Sequence, residues 1–282
     1  MELDLEKILP QVESIVREAG AIVRRFHDQV DNTIDWKGEN DPVTAADRAV
    51  NDFLVSELQS RFPDFGILAE ESRDDLARLE KPAVWCVDPL DGTKEFIARN
   101  GEFSIMVGLA LEEIAVLGVV YQPVKDFMYS GIRTLGAWLT TPKGRNALHV
   151  SDIKDPEAFR LVVSRSHRNP IVDEIKQALG VTHERISGSV GLKCGLIARG
   201  EADLYLHPAP GLKEWDTCAP EAILFGAGGR VTDCWGRPYL YNQPDVHRHF
   251  GLVASNDTAH SEIIARLLPV LEAHGLSLNR AW

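Results

Sequence analysis

The sequence predicts an α+β fold built from two unlike halves. Three observations carry that expectation. Residues before Pro63 show two helical apolar stripes, Val84 to Thr140 holds strand-like runs joined by short links, and the chain after Pro156 alternates strands with helices.

The first stripe is Leu5, Ile8, Leu9, Val12, Ile15, Val16, Ala19, Ile22, Val23 and Phe26, an amphipathic helix with Pro10 as a point of disturbance. A second helix starts near Thr44, gathers Val50, Phe53, Leu54 and Leu58 on one face, and stops before Pro63. The period then shortens to two. Strands are expected at 84–87, 104–111, 114–121, 127–132 and 137–140, and their tight links imply an antiparallel sheet. The polar stretch 141–156 reads as a seam, which divides the chain into domains 1–150 and 151–282. Beyond it come strand 160–165, helices 172–179 and 190–199, strand 202–207, helix 217–226, strands 229–233 and 250–254, and helix 257–274. Gly180, Gly200 and Gly275 fall where helices should end.

The chain has 282 residues, with 44% hydrophobic and 26% charged, an ordinary globular balance. The net charge of −12 argues against a nucleic-acid polymer as partner, although bound divalent metal could still admit a small phosphorylated one. No apolar run approaches the roughly 20 residues that span a bilayer. The acidic, amphipathic start is unlike a secretory signal, so a cytoplasmic location is expected, with a monomer favoured. Cys86, Cys194, Cys218 and Cys234 form no C-x-x-C pair and read as reduced thiols, Cys218 as a packing residue.

Carboxylates mark the ends of several elements: Asp47 in D-P-V-T-A-A-D, Glu70 and Glu71 in I-L-A-E-E-S, Asp88 and Asp91 in W-C-V-D-P-L-D-G-T, and Asp216 in E-W-D-T-C-A-P-E. Taken alone, Thr44-x-x-Asp47 reads as a capping arrangement, Glu70-Glu71 as a solvated turn, and Asp216 as an N-cap. Asp88 and Asp91 resist such readings. The run V-W-C-V is apolar on both faces, as in a buried strand, and two carboxylates at its end would repel unless a cation lay between them. Pro89 is expected to fix a turn that faces the Leu90 carbonyl outward. Carboxylates plus a carbonyl, with no His or Cys nearby, suit Mg²⁺ better than zinc. Gly92 permits close backbone approach, and N–H groups at Thr93 could cradle a phosphate. The chemistry indicated is metal-assisted hydrolysis of a phosphate ester.

At these four ordered blocks the chain resembles the lithium-sensitive, Mg²⁺-dependent phosphatases of the inositol monophosphatase superfamily, over residues about 36 to 230. D-P-L-D-G-T-K-E-F, with Lys94-Glu95, and K-E-W-D-T-C-A-P-E-A-I-L resemble its 3′(2′),5′-bisphosphate nucleotidase branch. Pro220-Glu221 departs from the small residues usual in monophosphatases. The resemblance implies a layered α/β/α/β/α sandwich of the sugar-phosphatase type, an antiparallel sheet domain followed by a smaller mixed one. It implies two or three Mg²⁺ held by Glu70, Asp88, the Leu90 carbonyl, Asp91 and Asp216, with Glu71 behind them or at a third metal. It assigns Asp47 and Thr93 to activating the attacking water. Glu70, Leu90, Asp91, Gly92, Thr93 and Asp216 would also touch substrate. The implied reaction is in-line hydrolysis of 3′-phosphoadenosine 5′-phosphate to AMP and phosphate, removing a by-product of sulfur assimilation.

For the nucleotide the sequence offers less. Ser164, Arg165, Ser166, His167 and Arg168 could meet a second phosphate or ribose, or form a solvated basic turn. Ser189 and Lys193 behind Gly188 could bind a phosphate, and the resemblance favours that over ordinary capping. Trp85 and Trp215 read as core supports, and His207-Pro208 as loop. Three alternatives stay open: inositol monophosphatase or fructose-1,6-bisphosphatase activity on the same scaffold, an aspartyl-nucleophile phosphatase, and a non-catalytic metal or phosphate sensor. The aspartyl-nucleophile class spaces its two aspartates by one residue, whereas Pro89 and Leu90 intervene here.

Overall fold

The computed structural model describes residues 3–28, 34–38 and 41–278. In chain order its elements are α1 (Leu5–Asp28), β1 (Ile34–Gly38), β2 (Asp41–Thr44), α2 (Ala45–Arg61), β3 (Gly66–Ala69), β4 (Ala83–Asp91), α3 (Thr93–Ile97), β5 (Ser104–Leu111), β6 (Ile114–Gln122), β7 (Phe127–Ile132), β8 (Gly136–Thr141) and β9 (Gly144–Ala147). There follow β10 (Arg160–Ser164), α4 (Pro170–Leu179), β11 (His183–Ser187), α5 (Val190–Ala198), β12 (Leu204–His207), α6 (Glu214–Gly226), β13 (Arg230–Thr232), β14 (Leu252–Ser255) and α7 (His260–Ala273).

Five layers result. The apolar stripes of α1 and α2 cover one face of a seven-stranded sheet, β3-β4-β5-β6-β7-β8-β9. Helices α5 and α6 fill the space between that sheet and a second of five strands, β11-β10-β12-β14-β13. Helices α4 and α7 cover the far side of the second sheet around Phe159, Ile175, Leu204, Ile263 and Leu267. This is the expected α+β sandwich. Pro10 sits inside α1 without ending it, and Gly180 closes α4 at φ 73° in the left-handed region.

The first sheet departs from the all-antiparallel expectation at one edge, because β3 pairs parallel to β4. Four short strands escape the periodicity: β1, β2, β3 and β11 offer too few alternating residues to signal themselves. Strand β9 lies inside the polar stretch 141–156, since an exposed edge needs no apolar face.

One packing feature fixes the middle layer. Gly108, Gly118 and Gly131 are cross-strand partners on β5, β6 and β7. A Cβ at Gly118 would stand 2.2 Å from the Ala219 carbonyl oxygen, at Gly108 2.6 Å from the Ala219 nitrogen, and at Gly131 2.7 Å from the Ile223 Cα. The three glycines form a trough in which the α6 backbone rests directly on the sheet.

Candidate active site

Parallel pairing explains how two distant segments meet. Ala69 is in register with Val87, so Glu70 and Asp88 leave the same end of neighbouring strands, with the Glu70 N–H donating to the Val87 carbonyl (3.1 Å). Strand β4 does not stop at Asp88, which corrects the expected turn at Pro89. Asp88 pairs with Met106 and Asp91 with Ser104, so one extra residue is accommodated as a bulge. Proline has no N–H for the ladder, which makes this its natural place. The bulge also solves a geometric problem. In an unbroken strand, side chains three apart face opposite ways; here Asp88 and Asp91 line one cavity.

Gly92 follows at φ 97°, a left-handed conformation that favours glycine, and caps the short helix α3. The Thr93 hydroxyl lies 3.2 Å from Asp47 Oδ1 and 3.3 Å from the Leu90 carbonyl. Asp47 is also the third residue of α2, where its other oxygen accepts the Thr44 N–H (2.7 Å) in a capping box. Capping and contact with Thr93 therefore coexist, one carboxylate oxygen for each.

Asp216 is likewise third in its helix and not the expected N-cap. Helix α6 begins at Glu214, and Asp216 reaches back to the Lys213 N–H (2.6 Å). Asp91 is held from the second half of the chain by the Ser189 hydroxyl (2.5 Å) and the Gly191 N–H (3.0 Å). Ser189 also caps α5 through the Leu192 N–H (3.0 Å).

These residues surround a cavity of about 330 Å³. Glu70, Asp88, Leu90, Asp91, Gly92, Thr93, His167, Ser189, Lys193 and Asp216 all line it, and Asp47 stands behind Thr93. Burial, then the charges of Glu70, Asp91 and Asp216, pushes the Asp88 carboxyl well above the usual range. Burial, then Glu70 and Asp91, does the same to Asp216. Asp91 is raised by burial, with buried Lys193 opposing the rise. Asp47 is raised mainly by burial. Several carboxylates crowded into low dielectric form an all-oxygen donor set with surplus negative charge. That set fits a hard divalent cation such as Mg²⁺ and does not fit a soft one.

The nucleotide candidates divide. Ser164 and His167 line the cavity, and Lys94 Nζ lies 3.0 Å from His167 Nε2 at its rim. Arg165 is engaged by Glu102 at 2.7 and 2.8 Å, and Arg168 by Asp173 and Glu184. Ser166 donates to Glu95. Lys193 is 2% exposed, donates to the Ser189 carbonyl (2.7 Å) and stands over the Tyr205 ring.

Trp85 is a core residue against Phe62 and Phe65, whereas Trp215, though buried, also forms cavity wall. Cys218 is buried beneath Gly108, as a packing residue should be. His207 is no loop residue: it ends β12 and lines the cavity, and its buried Nε2 has no partner among the described residues. Pro208 had suggested a loop but marks only the end of the strand. Glu95, Tyr205 and the segment Pro210–Lys213 also line the cavity and were missed. Only Glu95 carried a signal, through its place after D-G-T-K.

The model of the inositol monophosphatase family matches residues 4–273. The chain is 38% identical over 236 residues to the 3′(2′),5′-bisphosphate nucleotidase CysQ of Escherichia coli K12, covering 83% of this chain and 94% of that protein. It is 29% identical over 272 residues to rat 3′(2′),5′-bisphosphate nucleotidase 1, covering 86% and 88%. Among solved structures, CysQ from Bacteroides thetaiotaomicron superposes with a TM-score of 0.78 at 30% identity, covering 90% of this chain and 98% of that one. The inositol monophosphatase of Anabaena (Nostoc) sp. PCC 7120 gives 0.76 at 26% identity, covering 96% and 100%. A carboxylate cavity between two sheets, a matching family model over nearly the whole chain and these relatives lead to one conclusion: the chain belongs to the inositol monophosphatase family.

Proposed function

We propose that this chain is a Mg²⁺-dependent 3′(2′),5′-bisphosphate nucleotidase that hydrolyses 3′-phosphoadenosine 5′-phosphate to AMP and phosphate. The observation that carries the chemistry is the bulge in β4. It turns Asp88 and Asp91 into one cavity with Glu70 and Asp216, beside the Thr93–Asp47 pair. The substrate rests on the nucleotidases at 38% identity and on the resemblance of D-P-L-D-G-T-K-E-F, with Lys94-Glu95, to that branch. The family is generally metal-dependent; the identity of the ion, and a count of two or three, belong to this proposal.

Glu70, Asp88, Asp91, Asp216 and the Leu90 carbonyl would hold the metal. Mg²⁺ bound there supplies a Lewis acid for the phosphate and lowers the pKa of water. The chain's own groups do the rest. The Thr93 hydroxyl orients the attacking water, and Asp47, whose carboxyl burial raises above its ordinary value, takes its proton. Backbone N–H groups of Gly92 and Thr93 donate to the reacting phosphate. Ser189 and the Gly191 N–H fix Asp91 so that it does not turn away.

Lys193, His167 with Lys94, and His207 receive the remainder of the nucleotide. Burial and Lys193 lower His207 to about 4, so at neutral pH it presents a neutral ring to sugar or base. In this reading the half before residue 150 carries most of the metal ligands, and the half after it closes the cavity. Phosphate release from 3′-phosphoadenosine 5′-phosphate tests the proposal. Wild type should turn over with Mg²⁺ and stop in EDTA, and Asp91→Asn should retain less than about a tenth of the rate. Turnover that persists in EDTA, or in Asp91→Asn, would remove the metal-ligand assignment.

A further inference from the structure

Away from the carboxylate cavity, a second group of side chains has a different donor chemistry. Within D-V-H-R-H (245–249), residues 246–248 run antiparallel to residues 212–214. The Glu214 N–H donates to the Val246 carbonyl (3.0 Å), the Arg248 N–H donates to the Leu212 carbonyl (2.8 Å), and Lys213 and His247 form a β-bridge. Extended backbone sends alternate residues to opposite faces. Arg248 goes inward, buried against Tyr239 and Tyr241 with its Nε donating to Thr217. His247 goes outward, and Asp245 and His249, from the bend and turn on either side of it, meet it there, exposed or half-exposed.

The Asp245 carboxylate is divided between the two rings. Its Oδ1 lies 2.8 Å from His247 Nδ1 and its Oδ2 2.7 Å from His249 Nε2. The ring centroids are 5.7 Å apart, and one ligand atom from each of the three residues falls within 4.8 Å of the others. A neutral imidazole can carry its proton on either nitrogen. The same side-chain placement therefore serves a hydrogen-bonded trio or a metal site whose two rings offer lone pairs inward. Two imidazoles and one carboxylate are the ligands of a borderline divalent ion, with water filling the fourth position of a tetrahedron. Mg²⁺ and Ca²⁺ prefer oxygen and would leave the nitrogens unused.

We propose that Asp245, His247 and His249 form a surface site for Zn²⁺ or an ion of like chemistry, distinct from the carboxylate cavity. The bound ion clips the segment 245–249, which is hydrogen-bonded to the strand leading into α6. Leu212 and Lys213 of that strand line the cavity. The site therefore fastens the wall of the cavity and takes no part in the reaction.

The test is a calorimetric titration of tag-free, full-length protein with Zn²⁺, in a large excess of Mg²⁺ to occupy the oxygen-ligand site. Wild type should take up Zn²⁺ with a rise in Tm. His247→Ala and His249→Ala should each weaken that binding by more than about 100-fold, beyond the 10–100-fold typical of losing an outer partner of a ligand. Both variants should keep the wild-type Tm and the Mg²⁺-supported turnover when no Zn²⁺ is added. Cu²⁺ as a probe should show nitrogen hyperfine structure in wild type that the double variant loses. No Zn²⁺ uptake by wild type, or equal uptake by wild type and both variants, overturns the proposal. So does uptake that survives His247→Ala and His249→Ala but disappears in Asp91→Asn, because the ion would then sit among the cavity carboxylates.

Discussion

Gly118→Ala tests whether the α6 helix is positioned by direct contact with the sheet. A Cβ at Gly118 would stand 2.2 Å from the Ala219 carbonyl oxygen, 2.8 Å from its Cα and 2.9 Å from its carbonyl carbon. All three are backbone atoms, so no side chain can rotate away. Ordinary contact begins near 3.4 Å, so helix and strand must part by about 1.2 Å. Overpacking of this kind costs about 1–3 kcal/mol, which at this chain length lowers Tm by roughly 2–12 °C. The catalytic loss should be larger. Asp216 sits one turn before Ala219 on the same helix, and a misplacement of about 1 Å can reduce turnover by about 10²-fold. The assay pairs thermal melting with phosphate release across a range of Mg²⁺ concentrations. The expected variant is folded, slower by about two orders of magnitude, and needs more Mg²⁺ for half-maximal rate. A variant that melts and turns over like wild type would refute the idea that the glycine trough sets the site.

Further predictions concern the site itself. Thr93→Ala should lower kcat by about 10²–10⁴-fold while leaving the Mg²⁺ requirement in place; lost Mg²⁺ activation with unchanged kcat at saturation would make Thr93 a ligand instead. Asp88→Asn should stabilise the metal-free protein increasingly as pH rises. The wild-type carboxyl is raised in the folded state, so its contribution is fully present below the unfolded value, near 3.9, and is lost as pH climbs through the raised one. Asparagine does not titrate, so in EDTA the stability gap between variant and wild type should open as pH rises above about 3.9, at up to about 1.4 kcal/mol per pH unit, and level off once pH has passed the raised folded value. A gap that narrows would contradict the crowding of charge around Asp88.

The features that were legible in the sequence depend on neighbours along the chain. Asp88 and Asp91 stood out because an apolar run with both faces buried ended in charge. The stripes of α1 and α2, and the glycine after α4, are local signals too. What stayed hidden needed pairing between distant segments. Glu70 alone looked like a solvated turn, because its place beside Asp88 comes from the parallel β3–β4 register. The glycine trough exists only once β5, β6 and β7 are aligned.

Other differences between sequence pattern and structure have local causes. The sequence pattern starts α6 three residues late because Asp216 resembles an N-cap, whereas Lys213 occupies that position and Asp216 serves it from the third place. Arg165 and Arg168 looked available for phosphate; only the fold brings Glu102 and Glu184 against them.

A bisphosphorylated nucleotide is the substrate proposed for this cavity. The most direct test is kcat/KM for phosphate release with Mg²⁺, compared across 3′-phosphoadenosine 5′-phosphate, 3′-AMP and inositol 1-phosphate. A cation placed for the second phosphate, Lys193 or the Lys94–His167 pair, should be worth about 1.5–3 kcal/mol. The bisphosphate should therefore exceed both monophosphates by at least about tenfold. If inositol 1-phosphate is hydrolysed as well or better, the nucleotidase assignment is contradicted.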